Sequence, residues 1–201
     1  MRYGILADIH EDVEGLVRSI ELLEERAIDR YLMLGDVYSH GDRVEDTVAR
    51  LLELSSLGVW GNHELGLSVE TPPDAREKYS DAVVDYFQSL QASLVFPEFR
   101  VTHSLPTVDP TDPTEFYLAD PPSEAQARRD VFDRFPDSLF LLGHFHRWEA
   151  YDSRGALAWD GSEVLRFDEN ERYIVVIDAV MAGNCAVLDT EARQLEPIRF
   201  R

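Results

Sequence analysis

Five apolar runs of strand length, at residues 3–7, 31–34, 57–60, 99–101 and 139–142, each lead within two residues into glycine, aspartate, asparagine or histidine. No other feature of the chain constrains its fold as strongly. The signatures that close these runs are Asp8-Ile9-His10, Gly35-Asp36, Gly61-Asn62-His63-Glu64, a lone His103 and Gly143-His144-Phe145-His146, and they take five of the six histidines. Helical periodicity follows three of them. Val13, Leu16, Val17, Ile20 and Leu23 come after Asp12, a suitable N-cap; Val44, Val48, Leu51 and Leu52 come after Asp42-x-x-Glu45, which has capping-box spacing; Tyr79, Val83, Tyr86, Phe87 and Leu90 come after the Pro72-Pro73 break. Strands alternating with helices predict an α/β sheet whose strand ends meet along one edge, so residues far apart in sequence can converge there.

The second half of the chain reads differently. Residues 104–122 hold five of the ten prolines and show little periodicity, the mark of a lid or substrate loop. Ser123-x-x-Gln126 predicts a capped helix through Val131, Phe132 and Phe135. Beyond residue 150, short apolar runs at 156–159, 163–167, 173–180 and 185–188 are separated by turn-forming residues and predict an antiparallel meander. Nothing divides the chain, so residues 1–201 are expected to form a single domain.

Charge narrows the partners. With 39 acidic and 19 basic side chains the formal net charge is −20, which disfavours a nucleic-acid polymer as partner. Only Lys78 among the basic residues is a lysine, a bias that fits either genome composition or a salty cytoplasm. The lone Cys185 lies in an apolar run and reads as a buried, inert thiol. No apolar run approaches membrane-spanning length and Asp8 interrupts the N-terminal one, so a cytoplasmic protein without membrane contact is expected.

Taken singly, the signatures are ordinary: Gly-Asp marks turns, Gly-Asn-His-Glu can be a turn with a helix cap, and histidines two apart can decorate a strand. Together they supply imidazoles, two carboxylates and an amide with no thiolate. That nitrogen and oxygen set suits zinc, manganese, iron, cobalt or nickel and disfavours calcium or a closed structural zinc. It also exceeds what one tetrahedral ion takes, and suits two ions sharing a carboxylate.

In their order, these five blocks resemble the calcineurin-like metallophosphoesterases, and compactness with the Gly-His-Phe-His ending is most similar to the small bacterial and archaeal phosphodiesterase branch. The resemblance implies a four-layer α-β-β-α sandwich of two mixed sheets. It implies that Asp8, His10 and His146 hold one divalent transition-metal ion, that Asn62, His103 and His144 hold a second, and that Asp36 bridges them, with manganese the first choice of metal. Two such ions would lower the pKa of a water between them and leave it poised for in-line attack on phosphorus. His63, unliganded in the family, would stabilise developing charge and protonate the leaving oxygen, with Glu64 orienting its ring.

Other residues are placed around that core. Arg147 could meet a phosphate oxygen or form a surface ion pair. Phe116 and Tyr117 are expected to pack the lid rather than stack on substrate, and His40 to be a loop histidine. Three departures from the family stand out: Glu11-Asp12 adds two acids near the substrate's approach, Ser104 replaces a common glycine, and Ile177-Asp178-Ala179-Val180 replaces a tight turn. The expected activity is metal-dependent phosphodiester hydrolysis of a small substrate. The alternatives are a phosphomonoesterase, a nucleotide or diadenosine polyphosphate hydrolase, and a non-catalytic scaffold of the same fold; a homo-oligomer is compatible with each.

Overall fold

The computed structural model describes residues 1–69 and 71–201. Its elements in chain order are β1 (Arg2–Leu6), α1 (Val13–Glu24), β2 (Arg30–Met33), α2 (Val44–Leu52), β3 (Ser56–Gly58), α3 (Leu65–Ser68), α4 (Ala75–Lys78), α5 (Asp81–Ser89), β4 (Leu94–Val95) and β5 (Arg100–Val101). There follow α6 (Pro113–Tyr117), α7 (Ala125–Arg134), β6 (Leu139–Leu142), β7 (Glu149–Tyr151), β8 (Leu165–Arg166), β9 (Tyr173–Val176), β10 (Asn184–Asp189) and β11 (Gln194–Arg199).

The strands form two mixed sheets, as expected. One runs β3-β2-β1-β10-β11-β8, with β1, β2 and β3 parallel and β10, β11 and β8 joined antiparallel. The other runs β4-β5-β6-β9-β7, parallel across β5, β6 and β9 and antiparallel at both edges. The four layers follow from side-chain alternation along each strand. Ile5, Leu32, Val101, Leu141 and Val175 turn into the space between the sheets. Their neighbours Leu6 and Met33 turn outward against α1, α2 and α5, while Phe140, Leu142 and Ile174 turn outward against α7. Leu16 and Leu23 on α1 are fully buried, and each contributes about 1.5–3 kcal/mol by leaving water.

Three local expectations are corrected. The meander is not one sheet: β7 and β9 join the second sheet, where β9 lies parallel to β6, whereas β8, β10 and β11 complete the first, and 156–159 forms no strand. Asp42 does not cap α2. Its N-cap is Arg43, with no side-chain cap, and Glu45 instead accepts hydrogen bonds from the Ser80 N–H and hydroxyl at 2.8 and 2.7 Å. Ser123 likewise leaves α7 uncapped, Glu124 occupying the N-cap position. Asp12 does cap α1, accepting from Gly15 N–H at 3.0 Å, and Cys185 is buried. Among the described residues no helix is long and apolar enough to cross a membrane.

Candidate metal centre

The C-terminal ends of β1, β2 and β6 and the loops after β3 and β5 bring together Asp8, His10, Asp36, Asn62, His103, His144 and His146. The backbone there is unusual. Asp8, His10, Asp36, His144 and His146 all have φ between +48° and +68°, a left-handed conformation that costs a side-chain-bearing residue roughly 1–2 kcal/mol. Cross-strand hydrogen bonds hold it: Asp8 N–H donates to Gly35 O at 3.1 Å and His10 N–H to Asp36 O at 2.9 Å. Gly61 is required by close approach, since a Cβ there would overlap the Asp36 carboxylate.

Two buried glutamates brace these loops. Glu64, fully buried, accepts the N–H groups of Asp36 and Tyr38, each at 2.8 Å, and of Gly61 at 2.6 Å. It therefore does not orient the His63 ring, as expected from the sequence, but ties the end of β2 to the turn after β3. Burial first, and the neighbouring Asp36 charge second, push its carboxyl up to about 7 against those hydrogen bonds. Glu11 accepts from the N–H groups of Ser39, Gly41 and Arg43 at 2.7–2.8 Å. Burial opposes its ionisation, yet these bonds hold its pKa below the usual value. Glu11 thus faces the 39–43 loop and not a substrate, and Asp12 is taken up by its cap and by Arg201 at 2.6 Å. Neither partner is signalled locally, because each lies tens to hundreds of residues away.

The donor atoms face one another. Those of Asp8, His10, Asp36 and His146 lie within 4.8 Å of each other, as do those of Asp36, His103 and His144. Asp36 Oδ2 belongs to both groups, 3.6 Å from His10 Nε2 and 3.3 Å from His103 Nε2. Asn62 Oδ1 joins the second, 3.1 Å from His103 Nε2 and 2.8 Å from His144 Nδ1. In the first, His146 Nε2 stands 3.1 Å from Asp8 Oδ1 and 3.2 Å from His10 Nε2. His103 donates its Nδ1–H to Leu34 O at 2.6 Å, so its Nε2 lone pair points at the carboxylate and amide oxygens. Lone pairs converging in this way repel unless a cation stands between them. The seven side chains thus fit two cations that share Asp36.

Without a metal, protons take that part. Burial is the strongest influence on His103 and lowers its pKa, but the Asp36 charge and hydrogen bond outweigh it and hold the ring at about 10. His146 is raised, first by its hydrogen bond to Asp8. Burial leads in lowering His10, and it takes His144 down to about 4 with the His103 charge adding to it. Burial opposes ionisation of Asp36 too, yet the surrounding histidines bring its carboxyl well below the usual range. Metal binding near neutral pH is therefore expected to displace protons, and affinity to rise with pH up to about 10. Calorimetric titration with manganese in two buffers of different ionisation enthalpy would read that release as a buffer-dependent heat; equal heats would contradict it.

The remaining residues named from the sequence divide. His63 is half-buried, its N–H donating to Asp36 Oδ1 at 3.1 Å and its ring edge-on to His10 at 4.8 Å, outside both donor groups. Arg147 is exposed and paired with Glu149 at 2.8 Å. His40 is an exposed loop residue bonded to Ser39. In the proline-rich segment, Phe116 is buried, edge-on to His103 at 5.6 Å and parallel to His144 at 6.5 Å, while the half-exposed Tyr117 ring tilts toward His63 at 5.7 Å. The 177–180 segment straps the end of β1: Val180 N–H donates to Ala7 O at 2.8 Å and Met181 N–H to Asp8 O at 3.3 Å.

Comparison with known proteins fits this geometry. A model of the calcineurin-like phosphoesterase family matches residues 1–183. In sequence the chain is similar to an uncharacterized protein, MJ0912, of Methanocaldococcus jannaschii, 29% identical over 181 residues, or 86% of this chain and 73% of that one. In structure it is similar to a metallophosphoesterase from Sphaerobacter thermophilus, with a TM-score of 0.79 at 21% identity over 100% of this chain and 88% of that chain. A novel archaeal phosphodiesterase matches with a TM-score of 0.58 at 14% identity over 100% of both chains. At these identities the structural likeness is one of fold.

Proposed function

The chain belongs to the calcineurin-like phosphoesterase family, and on that premise we propose that it is a phosphodiesterase dependent on two divalent metal ions, manganese first among them. The observation that carries this reading is the pair of donor groups meeting at Asp36. Ions bound there would supply Lewis acidity and a water of lowered pKa. Asp8, His10 and His146 are assigned to one ion, Asn62, His103 and His144 to the other, and Asp36 to both.

The other steps fall to the chain. His63 lies beside both groups without belonging to either, which suits a proton donor to the leaving oxygen. Glu64 holds the backbone of Gly61, two residues before His63, and of Asp36, whose carboxylate accepts the His63 N–H. A diester is favoured over a monoester by charge. It brings one negative charge where a monoester brings two, and Arg147, the side chain the sequence offered to a phosphate oxygen, is engaged by Glu149. The partner is a small phosphoester, and a cytoplasmic setting remains part of the proposal.

His63→Ala tests the assignment. With manganese supplied, kcat on a 2′,3′-cyclic nucleotide diester, whose leaving ribose oxygen needs a proton, should fall on the order of 10²–10⁴-fold, the range general acid catalysis contributes, while two ions stay bound and bis(p-nitrophenyl) phosphate, whose phenolate leaves without one, loses less. Unchanged kcat would remove His63 from the reaction. Faster turnover of p-nitrophenyl phosphate than of the diester by the parent protein would make it a monoesterase, and a parent that binds no metal would be a scaffold.

A further inference from the structure

A proton donor must lie within hydrogen-bond reach of the oxygen it protonates, so the alcohol that leaves from phosphorus begins its path at His63. His63 lines a cavity of about 240 Å³ between α3 and α4, whose lining includes none of the metal donors. Its walls are chiefly apolar and aromatic. Leu67 and Ala75 are buried, and the rings of Tyr38 and Tyr79 meet edge to face at 6.2 Å with their hydroxyls satisfying each other at 2.9 Å.

The charges on the lining balance. Asp74 is its one carboxylate and Lys78 its one ammonium, and the latter lies over the Tyr79 ring, 4.7 Å from its centre. In a chain of net charge −20 this is a neutral patch beside the centre. It neither repels a monoanionic diester nor offers the surplus of cations that a further phosphate would need.

We infer that this cavity is the leaving-group subsite and that it takes an uncharged, ring-sized alcohol such as an aryl group or a nucleobase-bearing sugar, so that substrates with additional phosphates on the leaving arm are poor ones. The inference rests on the proposed phosphodiester hydrolysis and on His63 as the proton donor. Tyr117 does not line the cavity but stands 5.7 Å from the His63 ring, which leaves its exposed face to the ester arm that is retained.

Gly66 gives a direct test. It is an exposed residue on the rim of the cavity, its φ is not in the left-handed region, and a Cβ built on it meets nothing within 4 Å, so larger side chains can be added at the cavity mouth without displacing the wall. With manganese-loaded Gly66→Ala, Gly66→Leu and Gly66→Phe, KM for bis(p-nitrophenyl) phosphate is expected to stay near the parent value for alanine. It should then climb with side-chain size to tenfold or more for phenylalanine, and p-nitrophenol should inhibit the parent competitively and the phenylalanine variant not at all. Manganese stoichiometry by calorimetry should remain that of the parent across the series, which separates blocking from damage to the centre. If Gly66→Phe does not fold, the leucine variant carries the same comparison. A flat KM through the series with metal retained would overturn the subsite and leave the phosphodiesterase standing. A parent that binds two ions yet turns over no diester would overturn the phosphodiesterase and this inference with it.

Discussion

Asparagine in place of Asp36 is expected to lower diester turnover on the order of a thousandfold or more and to weaken the binding of both metal ions. The substitution keeps an acceptor for the His63 N–H, 3.1 Å away, and removes the charge. Oδ2 of Asp36 is the atom that faces both donor groups, His10 at 3.6 Å on one side and His103 at 3.3 Å on the other. Losing partners that merely orient a metal ligand costs about 10–100-fold, so the loss of a carboxylate shared by two ions should exceed that. A second effect follows from the electrostatics. Burial alone lowers the pKa of His103, and the Asp36 charge is what lifts it to about 10. In the variant that lift is lost and burial is opposed only by the Asp8 charge and the Leu34 hydrogen bond, so fewer protons should be released on metal binding than by the parent. Calorimetry and steady-state rates read both consequences. Full activity with both ions retained would deny Asp36 its bridging place.

Glu64→Ala should have the largest effect on stability. Its carboxylate is fully buried and is the acceptor for three backbone N–H groups, at Asp36, Tyr38 and Gly61. Each buried donor left without a partner costs about 1–3 kcal/mol, partly offset by removal of a buried acid, so a net loss of about 3 kcal/mol is expected. For a chain of 201 residues that corresponds to a melting temperature lower by roughly 6–12 °C. Glu64→Gln keeps one oxygen and should lose about half as much. Because the freed groups belong to the loops of the candidate metal centre, manganese affinity should also fall about 10–100-fold, as when other groups that orient ligands are removed. Thermal melts of metal-free protein at pH 8, above the Glu64 pKa of about 7, isolate the structural part. An unchanged melting temperature would show that water replaces the carboxylate.

The layout of the centre was legible in sequence because the first sheet and the parallel part of the second are built from strands that carry their chemical residues at one end. Asp8, Asp36, His103 and His144 each follow an apolar run within two residues, and parallel β1-β2-β3 and β5-β6-β9 put those ends on one side. The meander was not legible, because period-two alternation gives a strand's faces but not its partner. Tyr173–Val176 and Asn184–Asp189 look alike as apolar runs, and they join different sheets.

The predicted cap of α2 failed for a tertiary reason. Glu45, which in a capping box would reach back to the Asp42 N–H, is drawn off by Ser80, and the Arg43 N–H at the helix start is taken by Glu11, 32 residues earlier. Adjacency to His63 suggests contact with that ring, whereas the Glu64 carboxylate accepts from backbone N–H groups of the same loops. Its real signal was the three-residue step back to Gly61, whose N–H it accepts as the glutamate of a capping box does. Glu11 left no such local mark.

Two metal ions that share Asp36 are proposed to be held by seven side chains. Equilibrium titration of metal-free protein with manganese, followed in parallel by hydrolysis of bis(p-nitrophenyl) phosphate, tests that arrangement most directly. Two ions per chain, with turnover appearing as the second one binds, is the predicted result. A single ion per chain, or none near neutral pH, would contradict it.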